Sequence, residues 1–208
     1  MNTKSQIGIV DYGMGNIQSV KNAVNAIGYE ATLESDPQKL QSYDLLILPG
    51  VGAFKSAMDR LNETKIDKAI VDFSQKGKPI VGICLGMQLL FSRSFEFGEH
   101  AGLGLIKGEV LPIEAKPNFK IPHMGWNDVK SCNDDFIENE SDYYFVHSFY
   151  CKPFYSKDVL FTSNYGFDYC AAVSSENKIF GLQFHPEKSQ KAGLKLLTKI
   201  LAICLSKD

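Results

Sequence analysis

The chain has 208 residues, of which 44% are apolar and 22% charged, with a formal net charge of −2. That balance is ordinary for a globular protein with a sizeable core, and so small a charge gives no electrostatic grip on nucleic acid or an acidic membrane. No uninterrupted apolar run reaches the roughly 18 residues of a membrane span, Met1 to Gln6 lack a signal-peptide cleavage pattern, and the five cysteines are odd in number and widely spaced. A cytoplasmic protein with free thiols and no bound metal or other cofactor is expected.

Ile7 to Val10 is a short apolar run that ends at Asp11 and reads as a first strand. Tyr12-Gly13-Met14-Gly15-Asn16 follows as a glycine-rich turn, and Ile17, Val20, Val24 and Ile27 then recur at helical spacing up to Gly28. Strand, turn and helix in that order open a doubly wound sheet. Two glycines fall short of a dinucleotide fingerprint, so the turn is read as structural, with Asn16 at a surface contact. Tyr29 to Leu33 reads as a second strand, with a helix start at Ser35-Asp36-Pro37. Asp44 to Leu48 is a third, fully buried strand that runs into Pro49-Gly50-Val51-Gly52-Ala53-Phe54. A glycine-rich loop at that edge of a sheet can aim backbone N–H groups at an anion or oxyanion, although a plain connection fits the local sequence equally well. Ala57 to Leu61 and Ile66 to Phe73 are helical stretches, ending at Lys76-Gly77-Lys78.

The next strand carries the most informative stretch, Pro79-Ile80-Val81-Gly82-Ile83-Cys84-Leu85-Gly86-Met87-Gln88. Met87 to Phe91 read as the first turns of a helix. Strand, sharp turn and helix with Cys84 at the apex is the thiol form of a Gly-x-Ser-x-Gly nucleophile elbow. Small flanking residues permit the turn, and the apex residue should be strained, with its side chain exposed above the sheet. The N–H groups and positive end of the helix would favour a thiolate. Taken alone, the pattern is met as well by a buried core cysteine, and it needs a histidine and an orienting acid before it means catalysis.

After Phe91 the helical period lapses, and Ser92 to His100, polar and aromatic, reads as a loop. Gly108 to Ile113, Tyr143 to His147, Val159 to Ser163 and Tyr169 to Val173 have strand composition with no long helix between them. Lys120 to Asn127 holds the only tryptophan and reads as a loop, either an anchored lid or an interface. Ser131 to Asp135 carries no usable motif. Lys178 to Phe184 is the last strand, and Leu194, Leu197, Ile200, Leu201 and Ile203 line one face of a terminal helix. The expected fold class is α/β: a flavodoxin-like, mostly parallel central sheet flanked by helices, with a mixed or antiparallel extension in the second half. With no linker or repeat, one domain over residues 1–208 is expected.

His185 ends the last strand. Pro186 favours extended geometry before it, and Glu187 lies two residues on, where side chains of an extended chain point the same way. A carboxylate there would fix the imidazole tautomer and stabilise the imidazolium. Cys84, His185 and Glu187 would then be nucleophile, base and orienting acid. A structural histidine at a strand end beside a solvated acid would leave the same local sequence.

Together, Pro79 to Gln88 and Gln183-Phe184-His185-Pro186-Glu187-Lys188-Ser189 resemble the class I, triad-type glutamine amidotransferases. Asp11 to Asn16, Pro49 to Phe54, Pro122 to Asn127 and Phe145-Val146-His147-Ser148-Phe149-Tyr150 are similar, in the same order, to motifs of the glutaminase subunits of imidazole glycerol phosphate synthases. The resemblance implies a class I glutamine amidotransferase-like fold. It also implies hydrolysis of L-glutamine to glutamate and ammonia through a glutamyl thioester on Cys84, with His185 moving protons and Glu187 orienting it. The ammonia would pass to a (β/α)8-barrel cyclase subunit, a heterodimer partner that forms imidazole glycerol phosphate in histidine synthesis. The resemblance puts oxyanion donors at the backbone of Leu85 and, after a local rearrangement, of Val51. It assigns Gly52, Gln88 and Glu96 to glutamine, the backbone of Ser148 and Phe149 to its amino-acid end, and Asn16, Trp126 and Lys188 to the face that meets the cyclase. Phe95 and Phe97 depart from the small or polar residues expected around Glu96.

Related glutaminases that supply ammonia for surface-sugar amidation would keep the same Cys84 chemistry, so the triad does not separate the two pathways. A thiol peptidase with a similar elbow shares Gly-x-Cys-x-Gly but does not account for the Pro49 to Phe54 loop or the Trp126 segment. A flavodoxin-like assembly module with an inert Cys84 is the non-catalytic reading.

Overall fold

The computed structural model of the chain describes residues 5–132, 141–176 and 178–206; Met1 to Lys4 and Asn133 to Asp135, read above, lie outside them. The first half alternates strand and helix as the apolar periods require. β1 (Ile7–Val10) leads to α1 (Ile17–Ala26), β2 (Ala31–Glu34) and β3 (Leu45–Gly50). Two helices, α2 (Phe54–Thr64) and α3 (Ile66–Gln75), then precede β4 (Ile80–Cys84). These four strands pair in parallel, in the order β2-β1-β3-β4. β3 is buried on both faces, because Leu45 and Ile47 join the apolar cluster that contains α1 while Leu46 and Leu48 join the one that contains α2 and α3. At Ser35-Asp36-Pro37 the expected helix is only a single 3-10 turn, Lys39–Ser42. The Asp36 carboxylate takes the Gln38 N–H at 2.9 Å, and the chain must then enter β3.

The second half departs further from the local reading. The helix after Cys84, α4 (Leu85–Leu89), is one short turn, and Phe91 already begins β5 (Phe91–Ser94). β5 pairs with β6 (His100–Ala101), so Ser92 to His100 is a hairpin rather than a loop. Its pairing with β7 (Ile106–Pro112) comes from a later segment, and Arg93 ties it there through an ion pair to Glu109, with a second to Glu99 inside the hairpin. The tryptophan segment is likewise a strand from His123 onward. β8 (His123–Ser131) pairs antiparallel with β9 (Ser141–His147), and His123 is buried while Met124 and Trp126 are exposed. β10 (Phe149–Pro153), unforeseen in the sequence, pairs with β7 and with β12. β11 (Val159–Asn164), β12 (Asp168–Ser175), β13 (Ile179–Leu182) and α5 (Gln190–Leu205) complete the chain.

All these strands belong to one sheet of order β2-β1-β3-β4-β13-β12-β10-β7-β5-β6, with β11 joining β12 to β8 and β9 beyond. β13 lies parallel beside β4, although it is the last strand in sequence. The stretch that follows β13 therefore leaves the sheet at the same edge as Cys84. On the other side of β4, Gly50 is directly opposite Cys84. One sheet edge thus collects residues from three distant parts of the chain, as open α/β sheets do at the carboxyl ends of their strands.

The turn after β4 fits this edge with no spare room. A Cβ on Gly86 would lie 1.8 Å from the Leu48 carbonyl oxygen, and one on Gly82 would lie 2.7 Å from the Gly86 oxygen. Both contacts are with backbone, which cannot swing aside. The substitution Gly86→Ala is therefore expected to destabilise the protein by about 3 kcal/mol or more, at the upper end for overpacked sites, read as a lowered urea midpoint.

Candidate active site

Cys84 sits at the turn with φ +55° and ψ −112°, a conformation that costs a non-glycine residue on the order of 1–3 kcal/mol. Gly82 and Gly86, pressed against backbone, hold it there. The thiol does not stand clear above the sheet, as the motif suggests. It is 6% exposed and recessed in a cavity of about 440 Å³. Val51, Gly52, Leu85, Gln88, Glu96, Ser148, Phe149 and His185 line the same cavity. Leu85 opens the short helix, so its N–H has no intrahelical acceptor. The Cys84 Sγ points to the Val146 carbonyl oxygen at 3.8 Å.

His185 donates Nδ1–H to Glu187 Oε1 at 2.8 Å, and the Glu187 side chain is 1% exposed. His185 itself is extended, as Pro186 after it predicts, but the chain does not stay extended to Glu187 and instead enters a 3-10 turn over Pro186–Lys188. The turn folds the carboxylate back onto the ring. It is held from the start of α5, where the hydroxyl of Ser189, just before the helix, donates to the His185 carbonyl at 2.6 Å and a Cβ on Gly193 would lie 2.0 Å from the Pro186 oxygen. His185 Nε2 and Glu187 Oε2 are buried and have no hydrogen-bond partner among the described residues. Burial works against charging His185, but Cys84 and Glu187 together outweigh it, and the imidazole is pushed up to about 9. The balance favours the protonated ring on the side that faces the Cys84 sulfur.

Around this pair the remaining predicted residues fall into two groups. Those on the cavity wall are braced. Glu96 accepts the Phe54 N–H at the start of α2, a site the helix dipole also favours for a carboxylate. The aromatics beside it are accommodated: Phe95 lies under Arg93, and Phe97 meets Phe149 edge-to-face at 6.3 Å. Gln88 donates Nε2–H to the Phe149 carbonyl and to Gln183 Oε1, both at 3.1 Å. Gly52 has φ +99°, which only glycine adopts readily, next to Val51. Asn16, Trp126 and Lys188 lie outside the cavity and are exposed. Trp126 packs edge-on to Tyr144, and the Lys188 ammonium lies 5.7 Å from that same ring, so these two share one surface. α1, which Asn16 precedes, packs beside the Pro186–Lys188 turn.

The sequence reading missed Tyr12, Phe97, Val146 and His147. Tyr12 donates its hydroxyl to the Pro49 carbonyl at 3.0 Å, and a Cβ on Gly50 would meet that hydroxyl at 2.7 Å, so the tyrosine braces the glycine loop. Burial, with Cys84 second, pushes the phenol well above its usual range and keeps it a donor. Phe97 is 90% exposed at the cavity mouth with φ +54°. No local pattern marks these residues, because their roles come from the closing of the sheet. Tyr12, Val146 and His147 stood in quoted motifs without an assignment.

A parallel α/β sheet with a strained cysteine at one strand end and a His–Glu pair at the next defines a thiol-dependent hydrolase or transferase. Residues 8–204 match the family of class-I glutamine amidotransferases, and the chain belongs to it. It is 45% identical over 204 residues to "Imidazole glycerol phosphate synthase subunit HisH" of Wolinella succinogenes, covering 95% of this chain and 99% of that one. It is 49% identical over 197 residues to the protein of the same name from Sulfurimonas denitrificans, covering 92% and 95%. Among solved structures, that of PurLQS from Thermotoga maritima has a TM-score of 0.76 at 24% identity over 97% of this chain and 99% of that one, a likeness of fold.

Because His185 in the folded protein lies above the usual 6.5, its proton favours the folded state. That contribution is complete below pH 6.5 and fades as the pH rises to about 9. An NMR titration should place the His185 midpoint near 9, and Glu187→Gln should lower it; an unmoved midpoint would mean that the carboxylate does not hold this proton.

Proposed function

We propose that the chain is the glutaminase subunit of an imidazole glycerol phosphate synthase, hydrolysing L-glutamine to glutamate and ammonia for histidine synthesis. The observation that carries this is the meeting of the strained Cys84, the paired His185–Glu187 and the Gly50-Val51-Gly52 loop at one cavity. Chains 45% and 49% identical that carry that subunit's name support it, and they favour it over surface-sugar amidation.

In this reading the Cys84 sulfur attacks the γ-carboxamide carbon of glutamine. Oxyanion charge develops beside the Leu85 N–H, and the second donor is the Val51 N–H once its peptide turns inward. One such donor contributes a factor of roughly 10²–10³ in rate. Attack by a thiolate needs no strong base, so the main task of His185 is to protonate the departing ammonia. The glutamyl thioester is then cleaved by water, which gives up its proton to the now neutral His185, and glutamate leaves. Glu187 keeps Nδ1 protonated and Nε2 toward the sulfur throughout. Gly52, Gln88 and Glu96 hold the glutamine, with the Ser148–Phe149 backbone at its amino-acid end.

The exposed Trp126 and Met124, with Asn16 and Lys188, form the surface we assign to a (β/α)8-barrel cyclase partner. We place the protein in the cytoplasm; among the described residues no helix is long and apolar enough to cross a membrane.

Replacing Cys84 by Ala should abolish ammonia release from glutamine and leave cyclase binding intact; surviving activity would remove Cys84 as the nucleophile. Glutaminase turnover of the isolated chain should be slow and rise at least about 10-fold when nucleotide-loaded cyclase is added, and equal rates would argue against a gated Val51 donor. Trp126→Ala should weaken binding to the cyclase by about 10-fold or more in titration calorimetry, with the melting temperature of the free chain unchanged.

A further inference from the structure

His147 lines the same cavity as Cys84 and His185, is 5% exposed, and takes no part in the chemistry above. Its hydrogen bonds define its tautomer. Nδ1 lies 2.8 Å from the Phe149 carbonyl oxygen, which can only accept, so Nδ1 carries a proton. Nε2 lies 3.1 Å from Nδ1 of His123, the residue directly across the β8–β9 ladder. Burial pushes His147 down to about 3 and His123 down to about 4. Both rings are therefore neutral at pH 7, and His123 donates Nδ1–H to the bare Nε2 of His147. His123 is itself stacked on Tyr165 and Phe145, with ring centroids 3.9 and 5.0 Å away, so it has little freedom to turn.

The acceptor of this chain is the informative end. The Phe149 carbonyl takes His147 Nδ1–H at 2.8 Å and Gln88 Nε2–H at 3.1 Å, which occupies both of its lone pairs. One residue earlier, the Ser148 carbonyl accepts the Ile113 N–H at 2.9 Å. Ser148 and Phe149, the link from β9 into the first residue of β10, are thus fixed from three directions where they pass the cavity. The two histidines on that cavity wall are separated by their surroundings, His185 held as a proton donor and His147 as an uncharged clamp.

We propose that His147 is a positioning residue: oriented by His123, it clamps the Phe149 carbonyl against Gln88 and so sets the Ser148–Phe149 backbone to receive the α-amino-acid end of the substrate. The inference rests on the glutaminase reading and deepens it. It makes the geometry of that backbone edge depend on a buried imidazole that does not touch the reacting amide.

The test is steady-state ammonia release by the full chain with its cyclase partner, on L-glutamine and on glutaramic acid, which lacks the α-amino group. His147→Ala should raise the KM for glutamine by about 10-fold and leave kcat within about 3-fold, as the loss of one buried hydrogen bond acting on binding implies. The preference for glutamine over glutaramic acid, as a ratio of kcat/KM, should fall by a similar factor. His147→Asn, whose side-chain N–H can reach the Phe149 carbonyl, should restore most of both. If the alanine variant folds poorly by thermal unfolding, His147→Gln fills the space with its donor displaced and should show the same KM rise. An unchanged KM, an equal loss on both substrates, or an asparagine variant no better than alanine would each overturn the inference. A wild-type chain that releases no ammonia from glutamine would remove the glutaminase reading as well, whereas normal wild-type turnover with an unchanged variant removes this inference alone.

Discussion

The site depends on how closely the turn after β4 lies against the end of β3. Gly86 is in contact with the Leu48 carbonyl and leaves no space for a side chain. That contact keeps Cys84 in a conformation it would not hold unaided, on the order of 1–3 kcal/mol above the ordinary regions of backbone space. The surrounding sheet supplies the restraint: Leu46 to Leu48 and Ile80 to Ile83 are almost wholly buried, and their ladder is in register up to Gly50 and Cys84. A thiol placed in this way is held in position before any substrate arrives, which is where preorganised sites gain their advantage.

Electrostatics then divide the labour inside one small cavity. Burial alone would keep every histidine neutral there. His185 escapes because a sulfur and a buried carboxylate flank it, and His147 does not because its neighbours are a carbonyl and another imidazole. The same wall therefore holds one ring that favours its proton and one that stays neutral. The carboxylate of Glu187 is as buried as the ring it serves. A buried ion pair is a poor source of stability, since desolvation offsets most of the attraction. Its value here lies in keeping the imidazole charged and correctly turned.

Much of this was legible in the chain itself. The apolar runs and their flanking glycines located β1, β3, β4, α1, α2, α3 and α5 within a few residues, because helices and buried strands write their period into the local sequence. The cysteine elbow and the His185-Pro186-Glu187 stretch were legible for the same reason: the residues that shape each turn are adjacent. Two of the misreadings share one cause. Ser92 to Ser94 and His123 to Asn127 are strands whose partners include segments far along the chain, β7 for the first and β9 for the second. β10, with Lys152 and Pro153 in it, has no strand signature and is held by β7 and β12.

The sequence by itself pointed to the chemical kind of the protein: a thiol at a turn with a glycine two residues to either side, and an imidazole two residues from its carboxylate. Local sterics and short hydrogen bonds are enough to specify those. Only the tertiary structure decided that β13 inserts beside β4, which brings His185 to Cys84, and that Tyr12 braces the glycine loop. It also decided that the Phe149 carbonyl is shared between Gln88 and His147. These pairings join residues up to about a hundred positions apart, and strand order in a sheet is set by the burial of whole faces rather than by any one segment.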